Sequence, residues 1–598
     1  MKRVGLLFFL IILSVSLFAQ DYSRKFTDGL NYETSKVSDN DSVLVWVFFK
    51  DKGKSLRKYF EDPSLVVSEA SLERRSHVIK NGSLIDQTDL PVNRDYIKQI
   101  QKFGVKVKNA TKWFNGVSGY VLKRNLDKIA ALSFVKKVDF VGRYINNVKP
   151  IIGENNNLRS NSFLNKNSIV AHTYDYGQSL AELEQIKVPE VHDLGKTGTG
   201  VIICLMDAGV SNLQHEVFQN IHILDQYDFV NHDSVVANQA DSGDGSHGTW
   251  TLALIGGFKS GQLVGPAFDA TYLLAKTENT QSESSIEEDN WIAAAEWADS
   301  LGAQVTSTSL GYRYDFTSGT GYTAQDMNGH TAIITLGAEM AVRKGIVVVN
   351  SAGNDGDKVD QNTLNAPADG DSVIAVGAVN VSGTRASFSS YGPTADGRIK
   401  PDVMADGVDN YIPIGTPGNT SGYFSGVYSG TSFSCPLVAG VAALILEAHP
   451  NWTPMEVRDA LRNTASQSSS PDSLYGWGII NAQAAIDYSP TAIDNNKGNK
   501  NKKNNIPDNY ELAQNFPNPF NPSTTIKYEI KEGGYVTLNV YNLLGNLVAT
   551  LVDENEPAGT YYVSFNSNSE KNPLPSGVYF YRLHVGDFVA TKKMVIMK

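Results

Sequence analysis

The run Gly430-Thr431-Ser432-Phe433-Ser434-Cys435-Pro436, followed directly by the apolar stretch 437–448, decides how the rest of this chain is read. It sets a serine just before a helix whose start Pro436 marks, since proline in a first helical turn forfeits no needed N–H. A helix N-terminus offers free N–H groups and the positive end of a dipole, which suits a developing oxyanion. A serine hydroxyl becomes a nucleophile only beside a base, and the base needs an orienting carboxylate. Two upstream segments hold candidates. Asp207 follows the apolar run Val201-Ile202-Ile203-Cys204-Leu205-Met206, and His247 stands in Asp244-Gly245-Ser246-His247-Gly248-Thr249. Each alone has a plain structural reading. Gly-Thr-Ser is a turn and helix cap, Asp-x-Gly is a turn, and with ten histidines no single one stands out.

Their order along the chain is Asp, His, Ser, that of subtilisin rather than of chymotrypsin or the α/β-hydrolases. On these residues the chain resembles the subtilisin-type serine endopeptidases (subtilases). The resemblance implies Ser432 as nucleophile, His247 as general base and Asp207 as the partner that fixes the imidazole. It selects His247 over His215 and His232, which lie in polar loop sequence and read as solvated. Ser351-Ala352-Gly353-Asn354, after strand-like 346–350, matches the family's Ser-Ala-Gly-Asn, so Asn354 is expected to give an amide donor to the oxyanion. Ser309, Leu310 and Gly311 resemble the family's edge segment that pairs with extended peptide, with Ala352 and Gly353 as the opposite wall. Ala208 stands where the family more often has Thr, and Leu437 where it usually has His. Calcium is common in the family, but no Asp/Asn cluster here has metal-loop spacing, so no metal and no cofactor is assigned.

Between 171 and 490 apolar runs at 201–206, 270–275, 305–310, 345–351 and 372–379 alternate with helical patterns at 286–301, 331–344, 436–449 and 453–464. That alternation predicts an α/β subtilisin-like open parallel sheet with helices on both faces. Thr453-Pro454-Met455-Glu456 carries the N-cap, first-turn proline and N3 glutamate of a helix start. Residues 20–170 carry their own pattern, whose globular part is about 41–148. Strands at 43–49, 105–107, 116–122 and 138–141 interleave with helices at 66–78, 95–103 and 125–132, predicting a small α+β domain. Directly before a peptidase it looks like the inhibitory propeptide of subtilases, with a separate binding domain as the alternative. The run 153–167, rich in Asn and Ser, reads as a cleavable linker.

Residues 491–509 form an Asn/Lys-rich linker with nothing apolar to bury. From 510 to 598 the sequence is all strands and turns. Val536, Leu538 and Val540 alternate, as do Tyr579, Tyr581, Leu583 and Val585, which predicts a small β-sandwich. Asn515-Phe516-Pro517-Asn518-Pro519-Phe520-Asn521-Pro522 and Pro575-Ser576-Gly577-Val578-Tyr579 resemble the type A C-terminal sorting domain of type IX secretion. That resemblance implies secretion machinery as a partner. It also implies a secreted or cell-surface address on a Gram-negative bacterium, reached through the periplasm.

Residues 1–19 open with Met1-Lys2-Arg3, continue apolar through Phe18 and read as a signal peptide; the run is too short for a spanning helix. With 598 residues, several cores are expected. A net charge of −11 argues against nucleic acid or an anionic membrane as partner, and no later segment reads as a membrane span. Only Cys204 and Cys435 occur, in apolar settings, so two buried thiols are expected rather than a disulfide framework. The function this supports is a secreted serine endopeptidase acting on polypeptides through an acyl-enzyme, with the propeptide as intramolecular inhibitor. Its rivals are a catalytically silent adhesin on the same fold and a secreted esterase. The latter is opposed by the residue order and by the lack of a Gly-x-Ser-x-Gly elbow.

Overall fold

The computed structural model describes residues 25–54, 56–79, 82–141, 151–152, 172–239, 245–280, 286–313, 321–489, 509–515, 518, 520, 523–556, 558–567 and 574–596. The expected signal peptide, the linker 153–167 and nearly all of 491–509 lie outside these residues. The backbone divides into two compact units, Met1–Thr491 and Ala492–Lys598.

Seven parallel strands make the main sheet of the first unit. They are β6 (Ile202–Asp207), β7 (His222–Asp228), β8 (Thr271–Lys276), β9 (Val305–Thr308), β10 (Val347–Ser351), β11 (Ile374–Val379) and β12 (Val403–Asp406). Their order across the sheet is β12-β11-β10-β9-β6-β8-β7. Parallel strands covered on both faces bury both sets of alternating side chains, which is why they read as unbroken apolar runs. On β6, Ile203 and Leu205 join one core with helix α8 (Thr431–Ala448). Cys204 and Met206 enter the other core, with α6 (Ile286–Leu301) and α7 (Ile333–Arg343). Both cysteines are buried and free.

Two strands of this sheet escaped the sequence reading. β7 is an edge strand with exposed residues such as His222 and Leu224, and so lacks the continuous apolar signature. β12 has only four residues. A third difference bears on the site. α8 starts at Thr431 and carries Pro436 inside it, so Ser432 lies within the helix's first turn rather than before it. Proline is tolerated there because the carbonyl it leaves without a helical donor, that of Ser432, accepts instead from Ser309 Oγ at 2.9 Å. Among the described residues α8 is the one helix long and apolar enough to cross a membrane, yet 89% of that window is buried inside the fold.

The N-terminal part forms an antiparallel sheet of order β2-β3-β1-β4, from β1 (Ser42–Phe49), β2 (Lys106–Thr111), β3 (Gly116–Leu122) and β4 (Val135–Phe140). Among the helices that accompany it are α1 (Asp28–Ser35), α2 (Glu69–Val78), α3 (Arg94–Gln101) and α4 (Leu126–Ala130). Val43, Val45 and Val47 of β1 pack with Ile100 of α3 and Ile129 of α4. The opposite face of β1, Leu44 and Trp46, packs against Ile286 and Ile333 at the starts of α6 and α7. That double burial explains the all-apolar run 43–49. Beyond this domain, β5 (Ile151–Ile152) pairs antiparallel with β13 (Tyr428–Ser429), the two residues that lead into Gly430.

The second unit has a three-stranded sheet (Glu511–Leu512, Ser523–Ile530 and Gly559–Asn566) and a four-stranded sheet. The larger sheet runs Leu547–Glu556, Gly534–Asn542, Gly577–Val585, Phe588–Ile596. Val536, Leu538 and Val540 pair with Val585, Leu583 and Tyr581. All six are buried in one core shared by both sheets, which makes a sandwich.

Candidate active site

The carboxyl ends of parallel strands are where an open α/β sheet gathers ligand groups, and the expected residues converge there. Asp207 is the last residue of β6, Ser309 to Gly311 follow β9, and Ala352 to Asn354 follow β10. His247 comes from the first turn of α5 (Ser246–Gly256), which is brought down onto β6 by glycine. A Cβ at Gly248 would meet Gly209 O at 2.1 Å and Asp207 Cβ at 3.2 Å. No other residue permits that approach.

Asp207 Oδ1 lies 2.7 Å from His247 Nδ1 and also accepts from the Ala208 N–H. Its Oδ2 accepts from Thr251 Oγ at 3.0 Å. A carboxylate only accepts, so Nδ1 carries the proton and Nε2 is left as the basic nitrogen. Burial opposes charge on His247, but the Asp207 charge and hydrogen bond outweigh it and hold the imidazole above its ordinary 6.5. Thr251 was not singled out in the sequence. It stands four residues after His247, on the same face of the helix, and that spacing was its one available signal.

A second carboxylate stands behind the pair. Glu278 lies two residues past β8, is 5% exposed and accepts a hydrogen bond from the Tyr312 hydroxyl. Burial pushes its carboxyl up to about 7, against hydrogen bonds from Tyr312 and Glu287, and its charge adds to that of Asp207 on His247. Thr277-Glu278-Asn279 has no pattern to betray this position.

Ser432 is buried at the head of α8, and its hydroxyl donates to the Ser309 carbonyl at 3.2 Å rather than to His247. Asn354 is fixed through its oxygen: Oδ1 accepts from Thr431 N at 2.9 Å and Thr431 Oγ at 3.0 Å. Among the described residues no acceptor takes its Nδ2, which is left as the donating end. That end lies over the turn, 3.3 Å from where a Cβ on Gly430 would be, so a side chain at 430 would crowd it.

The candidate substrate walls differ from each other. Leu310 and Gly311 are half-buried, and among the described residues nothing in the fold takes the Gly311 N–H or C=O. A strand can add along that edge. Ala352 and Gly353 are buried with their backbone committed. Ala352 pairs with Val376 and Asn365, and Gly353 with Thr431 Oγ and Ser390. They shape the floor without offering main-chain pairing. His215, expected in solvent, is instead fully buried, with Nε2 bonded to the Gly422 carbonyl at 2.9 Å. Its polar neighbours in sequence concealed that the loop around 412–424 folds over it. His232 is exposed. Among the described residues no group of three or more His, Cys, Asp or Glu could hold a metal ion.

The subtilase family profile matches residues 198–478, the span that carries all of these groups. Subtilisin E of Bacillus subtilis (strain 168) is 34% identical over 375 residues, covering 60% of this chain and 87% of its own. The chain belongs to the subtilase family. This subtilase is also 37% identical to the subtilisin of Bacillus pumilus over 304 residues, 51% of its own chain and 97% of the relative's. In fold it is similar to fervidolysin from Fervidobacterium pennivorans, a keratinolytic enzyme related to subtilisin. That likeness has a TM-score of 0.53 at 20% identity, over 92% of this chain and 71% of the other. Residues 44–159 match the peptidase S8 propeptide domain of Bacteroidota, and 514–597 match a secretion-system C-terminal sorting domain. The subtilase is thus a serine endopeptidase with a propeptide, directed out of the cell by type IX secretion.

Proposed function

We propose that Ser432, His247, Asp207 and Asn354 carry the peptidase chemistry, on polypeptide strands laid along Ser309 to Gly311. His247 Nε2 takes the Ser432 proton as Oγ attacks the peptide carbonyl, and Asp207 holds the imidazolium that forms. The Ser432 N–H and Asn354 Nδ2 receive the oxyanion. His247 then protonates the leaving amine, and water deacylates the enzyme. No cofactor enters this sequence. The observation that carries the reading is the 2.7 Å Asp207–His247 contact, which leaves Nε2 basic on a ring 6.3 Å from that of Phe433, the neighbour of Ser432 at the head of α8. Casein hydrolysis together with labelling of Ser432 by a fluorophosphonate tests it. A protein that cleaves casein while leaving the probe untouched would overturn it.

Asn354→Ala should lower kcat by about 10²–10³ with little change in KM, the size of the loss on removing the side-chain oxyanion donor of subtilisin. The Oδ1 bonds to Thr431 make Asn354→Asp the sharper control. It keeps the anchor and removes the donor, so equal losses in the two variants identify Nδ2 as the active group.

The pH profile follows from the raised His247. The base must be neutral, so kcat/KM falls as pH drops through a value above 6.5. Asp207→Asn should move that limb to lower pH. A wild-type limb below 6.5 would contradict the assignment.

The N-terminal domain is proposed to act as the intramolecular inhibitor. Support comes from β5, whose pairing with Tyr428–Ser429 runs this part of the chain along the segment entering Ser432. Export is proposed to pass through the periplasm before the sorting domain engages the outer-membrane machinery.

A further inference from the structure

Helix α8 contains a proline in its second turn and still runs unbroken from Thr431 to Ala448. In a regular α-helix the N–H of residue 436 would donate to the carbonyl of residue 432. Pro436 has no N–H, so the backbone carbonyl of Ser432 itself loses its helical donor. Ser432 is 4% exposed, too buried for water to make good the loss cheaply.

Ser309 fills the vacancy. Its Oγ–H donates to Ser432 O at 2.9 Å, while Ser432 Oγ donates to Ser309 O at 3.2 Å, so the two residues hold each other through both backbone and side chain. One residue earlier, the Thr308 carbonyl accepts from Cys435 Sγ at 3.3 Å. The end of β9 is thereby fastened to the first two turns of α8 on the side where the helix ladder is incomplete. Ser309 is buried at 2% exposure, so its hydroxyl does not lie open to a passing substrate.

We propose that the Ser309 hydroxyl is a positioning residue for the nucleophile. It stands in for the donor that Pro436 lacks, and so fixes the main chain of Ser432 whose N–H faces the oxyanion. This role belongs to the side chain and is separate from any pairing of the Ser309 to Gly311 backbone with substrate. It rests on the reading of Ser432 as the nucleophile. Because the hydroxyl acts through Ser432, its loss is read in the chemical step and not in substrate binding.

The test is a double-mutant cycle, since Pro436→Ala returns an N–H to the position from which the Ser432 carbonyl is normally served. Wild type, Ser309→Ala, Pro436→Ala and the double variant are compared as full-length chains, by kcat, KM and the rate of fluorophosphonate labelling. Ser309→Ala should lose roughly 10- to 100-fold in kcat and labelling rate, the scale of a misplaced reacting group, with KM within about twofold. The double variant should recover most of that loss. Ser309→Thr, which keeps the hydroxyl, should stay near wild type. Unchanged kcat and labelling in Ser309→Ala overturns the proposal, as does a double variant whose losses simply multiply. Where Ser309→Ala does not accumulate, the double variant and Ser309→Thr must both accumulate and react. A double variant as absent or inert as the single one overturns the proposal equally. A wild-type chain that neither cleaves casein nor takes the probe refutes the nucleophile instead. Thermal unfolding of the same four chains then reads the coupling by itself, with Pro436→Ala expected to offset Ser309→Ala there too.

Discussion

Ser432→Ala and His247→Ala should each abolish peptidase activity, with kcat falling by about 10⁶, the size of the loss for the same roles in subtilisin. The two losses should be nearly equal, and the double variant no worse than either single one. The reason is geometric. Nucleophile and base act as one unit, and the imidazole is turned toward its task only because Asp207 Oδ1 holds Nδ1 at 2.7 Å. Asp207→Asn should cost less, on the order of 10⁴, since the ring stays in place but the amide favours the wrong tautomer. Here the Ala208 N–H and Thr251 hydroxyl also bind the carboxylate and would orient an asparagine in turn. Hydrolysis of a peptide substrate by the purified chains measures all of these. Retained cleavage by Ser432→Ala would remove Ser432 from the mechanism.

The legible parts of this site were the residues whose chemistry is local in sequence. Asp207 ends a run that only a doubly covered strand would need, and Gly248 beside His247 announces a close approach that the Gly209 backbone then makes. What escaped was whatever depends on a distant segment. Pro436 read as the start of a helix because proline usually stands in a first turn. The donor that lets it sit deeper is Ser309, 123 residues away. His215 read as solvated because the loop that buries it, near Gly422, comes about two hundred residues later. Glu278 was silent for a similar reason: its charge acts on His247 from a buried place beside Tyr312, and a lone glutamate after a strand shows neither the burial nor the neighbour. The unread edge strand β7 failed differently. Its outward side chains meet solvent, so no core required them to be apolar.

Asp299→Ala should destabilise the uncleaved chain by roughly 3–5 kcal/mol, the cost of removing one partner from a buried ion pair. Asp299 lies on α6, fully buried, and binds two arginines of α2 in the N-terminal domain. Oδ1 meets Arg74 at 2.5 Å and Oδ2 meets Arg75 at 2.6 Å. Arg75 continues to Asp89 at 2.8 Å, and Asp89 returns to Lys344, just past α7, at 2.7 Å. The five charges alternate in sign, and three of the four links cross between the domains; loss of Asp299 leaves Arg74 without a carboxylate and Arg75 with Asp89 alone. Burial draws Arg74 down to about 10, which still leaves it charged at neutral pH. Chemical unfolding in a Ser432→Ala background, where self-cleavage is absent, reads the effect; a midpoint equal to that of Ser432→Ala alone would deny the knot any role. Acid should weaken the same contact. Burial pushes the Asp89 carboxyl up, but Arg75 and Lys344 more than offset it and hold it at about 2, below the ordinary 3.8. A depressed carboxyl contributes stability that is complete above its unfolded value and is lost as pH falls through the folded one. The N-terminal domain should therefore loosen from the peptidase between about pH 4 and pH 2, and do so at higher pH in Lys344→Met, where one of the cations holding Asp89 is gone.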